Sequence, residues 1–183
     1  MTSRIHRFLV LLLAVSPLAV SPLAAQATTV VLVRHGEKVD ESADPDLSEA
    51  GKARAEALRR VLASFPVERV MVTQYKRTQQ TAAPTAEANH LTPVVIQARG
   101  GAPVFADSIR KAPAGSTVLV VGHSNTLGAI IEALSGLKVG DLCDREYATL
   151  FVLELQPGKP PKLIRATYGT PDAPEATTCP SMR

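Results

Sequence analysis

Val30-Val31-Leu32-Val33-Arg34-His35-Gly36-Glu37 is a short apolar run that ends abruptly in a cation, an imidazole, a glycine and a carboxylate. The run is rich in β-branched residues and has no polar alternation, which predicts a central strand buried on both faces. In open α/β sheets ligands bind outside the carboxyl ends of the strands, so Arg34 and His35 are expected at a binding edge. Gly36 lets the backbone turn sharply there and come close to a ligand. The chemistry this suggests is attack by His35 on a phosphoryl group held by Arg34. It requires a second basic clamp and a second proton-handling group elsewhere in the chain.

Thr117-Val118-Leu119-Val120-Val121 repeats the pattern and ends in Gly122-His123-Ser124-Asn125-Thr126. Two parallel central strands would bring His35 and His123 out at the same edge. Phosphoryl transfer through histidine needs one neutral ring nitrogen aimed at phosphorus and the other held by an acceptor that fixes the tautomer. It also needs cations around the three equatorial oxygens. Arg34 and Arg77, the latter in Arg77-Thr78-Gln79-Gln80-Thr81-Ala82, can grip those oxygens bidentately. His123 would add a donor, and Asn125 with the start of the following helix could add more. A metal reading of His35-x-Glu37 with His123 is weaker, because Arg34 beside the ligands would oppose a cation. Asp40, Glu41, Asp44 and Asp46 read as a solvated loop.

The elements between these motifs set the fold class. Ser48 or Asp46 can cap a helix opening at Leu47-Ser48-Glu49-Ala50-Gly51, and Phe65-Pro66 ends it. Its apolar stripe leaves Arg54, Arg59 and Arg60 as a solvated face. Arg69–Thr73 and Thr92–Gln97 read as strands, 82–89 as a helix that starts at or is kinked by Pro84, and 103–111 as a short helix. A helix from Ser124 to about Leu134 stops at Gly136. Thr149–Leu155 and Lys162–Thr167 are two last strands. Strand and helix alternate through most of the chain, which predicts one α/β domain, a three-layer α/β/α sandwich with a mostly parallel sheet and room for an antiparallel edge.

The N-terminus reads as a separate segment. Arg4 and Arg7 precede the apolar stretch from Phe8 to Val15, and Ala25-Gln26-Ala27 is a small-x-small cleavage site, so residues 1–27 are expected to be a signal peptide and 28–183 the mature domain. Pro17 and Pro22 interrupt the apolar stretch and argue against a membrane anchor. The formal charge of +3 falls when Arg4 and Arg7 leave, and the near balance gives no electrostatic case for nucleic acid. Export places the protein in the periplasm or outside the cell, where the two cysteines, Cys143 and Cys179, are expected to pair. Closing that loop would be worth about 3–4 kcal/mol on the chain-entropy account. From Thr170 the tail is expected to be loose unless Cys179 pins it.

Arg34-His35-Gly36-Glu37, Arg77-Thr78-Gln79-Gln80-Thr81-Ala82 and Gly122-His123-Ser124-Asn125-Thr126, in that order, resemble the histidine phosphatase superfamily, in its phosphoglycerate-mutase-like branch. The resemblance spans about Val30 to Val152. It implies that His35 forms a phosphohistidine, that Arg34, Arg77 and His123 complete the phosphate pocket, and that neither metal nor organic cofactor takes part. Cofactor-dependent mutases of the family carry Ser and then Trp-Asn after the first motif. Here Lys38-Val39-Asp40 follows, and the chain has no tryptophan. Hydrolysis is therefore favoured over mutase activity. Ser124 after the second histidine sets the chain apart from the phytase-like branch. Larger members protonate the leaving group with a Glu between the second arginine and the second histidine. Residues 91–117 contain no Glu, so Glu37 and Asp107 are the candidate acids. Each has a structural alternative, Glu37 as an ion-pair partner and Asp107 as a helix cap. The expected substrate is a small phosphorylated molecule, such as an envelope sugar phosphate. The alternative is a silent family member that binds a phosphorylated ligand.

Overall fold

The apolar run becomes strand β1 (Thr28–Arg34), buried from Val30 to its end. In the computed structural model, which describes residues 26–174, β1 lies inside a six-stranded sheet. The apolar stretch read as a signal peptide and Cys179 fall outside the described residues, so the expected cleavage and disulfide are not addressed by it. The further elements are α1 (Glu49–Leu62), β2 (Val67–Thr73), α2 (Lys76–Ala88), β3 (Val94–Ile96), α3 (Gly101–Arg110), β4 (Thr117–Gly122), α4 (Leu127–Ser135), β5 (Thr149–Leu155) and β6 (Lys162–Thr167).

The strand order is β3-β2-β4-β1-β5-β6. β1 pairs in parallel with β4, placing Arg34 opposite Gly122, and β4–β2 and β2–β3 are parallel as well. β5 runs antiparallel to both β1 and β6. The sheet is thus mixed, and the expectation of a mostly parallel one holds in part: β1 to β4 are mutually parallel, and β5 alone runs against the other strands. The reason lies in residues 136–148, which climb back to the edge where β1 and β4 end. The Leu142 amide donates to the Ser124 carbonyl there, so β5 has to start at that edge and run downwards.

The alternation of side chains along β1 divides the core. Val30 and Leu32 pack with Phe105, Ile109, Leu127 and Ile130 of α3 and α4. Val31 and Val33 pack with Leu58, Leu62, Ala82 and Ala86 of α1 and α2. The three layers predicted from the alternation are present. Fully burying one such aliphatic side chain is worth about 1.5–3 kcal/mol, so both faces of β1 contribute.

Two local expectations change. α2 starts at Lys76 and carries Pro84 inside it. Its first turn is satisfied from outside the helix, because the Lys76 amide donates to Asp44 Oδ1 at 2.9 Å. Arg54 is only 4% exposed rather than part of a solvated face. It is paired with Glu37 across 2.7–3.0 Å. Among the described residues no helix is long and apolar enough to cross a membrane.

Candidate active site

The parallel register of β1 and β4 fixes the two histidines side by side, with ring centroids 5.4 Å apart. The His35 amide donates to the Gly122 carbonyl at 3.0 Å, which continues the ladder one residue beyond the strand. Gly36 turns the chain against α1, where a Cβ on Gly36 would come within 2.9 Å of the Gly51 carbonyl oxygen. The Gly36 amide donates to Thr81 Oγ1 at 2.8 Å, and that hydroxyl donates to the Arg77 carbonyl at 2.7 Å. One hydroxyl therefore ties the turn after β1 to the helix turn that carries Arg77.

His35 Nδ1 lies 2.8 Å from the Gly36 carbonyl oxygen. A carbonyl only accepts, so Nδ1 carries the hydrogen and Nε2 keeps its lone pair. Burial pushes the His35 pKa down to about 3, and the positive charge of Arg34 and Arg77 with the neighbouring His123 adds to it, against the opposing effect of the Gly36 bond. His123 is down to about 4, first through burial and then through Arg77 and Arg34. Both rings are neutral near pH 7. His123 Nε2 contacts Thr73 Oγ1 at 3.1 Å, and Thr73 is held in turn by the Thr78 hydroxyl at 2.9 Å.

Arg34 is anchored from one side. Its Nη1 donates to the carbonyls of Cys143, Asp144 and Glu146 at 2.8, 2.7 and 3.2 Å. Its Nε is buried without a hydrogen-bond partner, and so is the Nε of Arg77. A buried guanidinium N–H left unpaired costs roughly 1–3 kcal/mol, so two such atoms beside one cleft point to an anion that completes them. Each arginine lies over a tyrosine ring, Arg34 over Tyr147 at 4.1 Å and Arg77 over Tyr75 at 4.3 Å. Each tyrosine meets a histidine edge-on, Tyr147 with His35 at 6.2 Å and Tyr75 with His123 at 5.5 Å. The stacking holds both guanidinium planes with little loss of charge.

These groups open onto a cleft of about 560 Å3. Arg34, His35, Arg77, His123 and Asn125 all line it, as the sequence placed them, together with Tyr75, Lys38, Glu41, Ser42 and Asp144. The two acid candidates do not. Glu37 turns away to α1, where Arg54 takes both its oxygens, and a carboxylate so engaged has no free path to a leaving group. Asp107 is exposed on α3 and paired with Arg110 at 3.0 Å. The same turn of Glu37 takes it away from His35 and His123, so the three-ligand metal set does not assemble. Sequence reasoning missed Tyr75 and Tyr147. Their signal was position, since each sits in a loop that carries a site residue, in a chain with three tyrosines and no tryptophan.

The strand ends, the paired imidazoles and the two half-satisfied guanidinium groups define an α/β protein built to hold a phosphoryl-sized anion against a neutral histidine. A family model described as the histidine phosphatase superfamily (branch 1) matches residues 30–100. Over that stretch, which carries both Arg34-His35-Gly36-Glu37 and Arg77, the chain is similar to that superfamily. Among solved structures it is similar to the mycobacterial glucosyl-3-phosphoglycerate phosphatase, at 17% identity and a TM-score of 0.63 over 79% of this chain and 100% of that one. It is also similar to a chain from Agrobacterium tumefaciens assigned as the phosphohistidine phosphatase SixA, at 24% identity and a TM-score of 0.60 over 79% and 98% of the two chains. A protein histidine phosphatase SixA complexed with tungstate matches at 16% identity and a TM-score of 0.59, over 76% and 96%. At these identities the likeness shows the shared fold. No curated protein sequence matches the chain.

Proposed function

We propose that the chain is an exported phosphatase that hydrolyses a small phosphomonoester, or a similar phosphoryl compound, through a phosphohistidine on His35. The observation that carries this reading is the tautomer of His35. Its Nδ1 is committed to the Gly36 carbonyl, so Nε2 is the nucleophilic nitrogen, and the ring is held neutral beside two arginines. Arg34 and Arg77 would bind the equatorial oxygens through the N–H groups that lack protein partners. His123 would join them as charge develops. Water would then attack the phosphohistidine, release phosphate and return the electron pair to Nε2. No step calls for a metal or an organic cofactor.

The match of residues 30–100 to the superfamily model supports hydrolysis at this site, and the neighbours' names, a sugar-linked phosphoglycerate phosphatase and phosphohistidine phosphatases, favour a small phosphorylated substrate. The leader-like residues 1–27 support export, and with it a Cys143–Cys179 disulfide and an envelope or extracellular phosphate ester as substrate.

The test is a burst assay on the chain starting at Thr28, with p-nitrophenyl phosphate and chelator present. Quenching in alkali preserves phosphohistidine for mass mapping. Turnover with phosphate on His35, and loss of both in His35→Ala, is the expected result. Turnover that persists in that variant, or that the chelator abolishes, would overturn the nucleophile. The same map, prepared without reductant, is expected to contain a Cys143–Cys179 peptide.

A further inference from the structure

The phosphoryl pocket is supplied with cations and a nucleophile, and with Glu37 and Asp107 elsewhere it lacks the acid that the sequence assigned. Two carboxylate residues line the cleft among the described residues, Glu41 and Asp144. They differ in what holds them. Asp144 belongs to the loop that anchors Arg34, and its carbonyl accepts from Nη1 at 2.7 Å. Glu41 stands on the separate loop 38–46. Both ends of that loop are fastened. The Val39 amide donates to the Asp46 carbonyl at 3.0 Å, Gln80 Nε2 donates to Asp46 Oδ1 at 2.7 Å, and the Lys76 amide donates to Asp44 Oδ1 at 2.9 Å. Within it Asp40 Oδ1 takes the Ser42 amide at 2.8 Å and shapes the turn that presents Glu41. The loop is solvated, as its composition suggests, with residues 39–43 exposed, and these bonds fix the backbone of the turn that carries Glu41.

In-line displacement places the leaving oxygen on the side of phosphorus opposite the nucleophile. His35 is 4% exposed and sits on the floor of the cleft, so the leaving group faces its mouth. Glu41 lines the same cleft with its side chain 87% exposed, and it is paired with Lys38 Nζ, another lining residue. We propose that Glu41 is the proton donor to the leaving group. This rests on the phosphatase reading above and deepens it. His35 Nε2 forms the N–P bond as the P–O bond breaks, and the electron pair passes to the leaving oxygen, which takes the proton of the Glu41 carboxyl. In the second half, water attacks phosphorus, its proton returns to the Glu41 carboxylate, and the N–P electrons return to Nε2.

An acid at this place has a specific signature, because a proton matters only where the leaving oxygen is a poor leaving group. The experiment compares kcat/KM for β-glycerophosphate and for 2,4-dinitrophenyl phosphate in wild type, Glu41→Gln and Asp144→Asn. Vanadate inhibition of each variant confirms that the pocket is folded. Glu41→Gln is expected to lose about a hundredfold or more on β-glycerophosphate relative to the dinitrophenyl ester, within the ~10²–10⁴ typical of general acids. Asp144→Asn is expected to change both esters by a common factor. Equal losses on the two esters in Glu41→Gln, or the selective loss in Asp144→Asn, would overturn the proposal. Wild type that turns over neither ester and forms no phosphohistidine would instead overturn the phosphatase reading beneath it.

Discussion

At the scale of single residues, the site is a set of polar atoms whose partners are deliberately incomplete. Arg34 gives Nη1 to three carbonyls and keeps Nε for something that the chain does not provide. The two histidines are kept neutral by the same burial that makes the pocket, and this links site and stability. Their folded-state pKa values, about 3 for His35 and about 4 for His123, lie below the 6.5 of a free imidazole. Between pH 6.5 and about 4 the unfolded chain therefore binds protons that the folded chain refuses. Stability must fall as pH falls through that window, by up to about 1.4 kcal/mol per pH unit for each histidine. Urea unfolding at pH 7.0 and 4.5 should show this loss in wild type. A His35→Gln, His123→Gln double variant should lose about 5 kcal/mol less over the same interval, while an equal loss in both proteins would show that other groups govern the acid limb. His35, Arg34, Arg77 and His123 were legible because each ends or follows a recognisable element. For Glu37 the structure forms the ion-pair alternative, but its partner Arg54 was not legible, because it lies 17 residues on in sequence and only the packing of α1 on the sheet brings the two together.

At the scale of elements, the turn after β1 depends on how closely α1 approaches it. A Cβ on Gly51 would lie 2.3 Å from the Glu37 carbonyl oxygen and 2.9 Å from its amide nitrogen. Backbone atoms cannot yield as a side-chain tip can, so Gly51→Ala should push α1 off the turn. The Ser48 cap, which accepts the Gly51 amide at 3.2 Å, moves with it. The expected cost is about 1–3 kcal/mol in urea unfolding, as for other overpacked sites. A drop in kcat of at least tenfold should accompany it, because Gly36 and His35 ride on the same turn. Ala50→Gly in the same helix serves as control, with a stability loss of about 1 kcal/mol from propensity alone and kcat retained. The element types were readable from hydrophobic period and punctuation. The direction of β5 was not. Direction follows from where residues 136–148 deliver the chain, and a loop route is settled by tertiary bonds such as Leu142 to Ser124 that leave no periodic trace.

At the scale of the whole molecule, the last described residues close the circuit that begins at β1. β6 runs back to the site edge, where the Tyr168 amide donates to the Ala148 carbonyl at 2.9 Å. Asp172 then takes the Tyr147 and Ala148 amides at 3.0 and 2.9 Å. Tyr147 is the ring under Arg34, and Cys143, Asp144 and Glu146 of the same loop hold Arg34 Nη1. The C-terminal segment thus fastens the loop that aims the phosphate clamp, although it touches none of the reacting atoms. Asp172→Ala should therefore weaken phosphate capture more than chemistry. Two backbone donors lose a charged acceptor, each worth about 1.5–3 kcal/mol, so the loop should loosen about its remaining bonds to Arg34. The expectation is a KM for p-nitrophenyl phosphate, and a Ki for vanadate, raised about tenfold or more, with kcat changed less than threefold. Asp172→Asn, which keeps acceptor oxygen for one of the two amides, should recover part of the affinity. A fall in kcat with KM untouched would mean that the segment acts on the nucleophile instead, through Arg54 and Glu37 on the turn after β1, since Asp172 also lies 3.9 Å from Arg54.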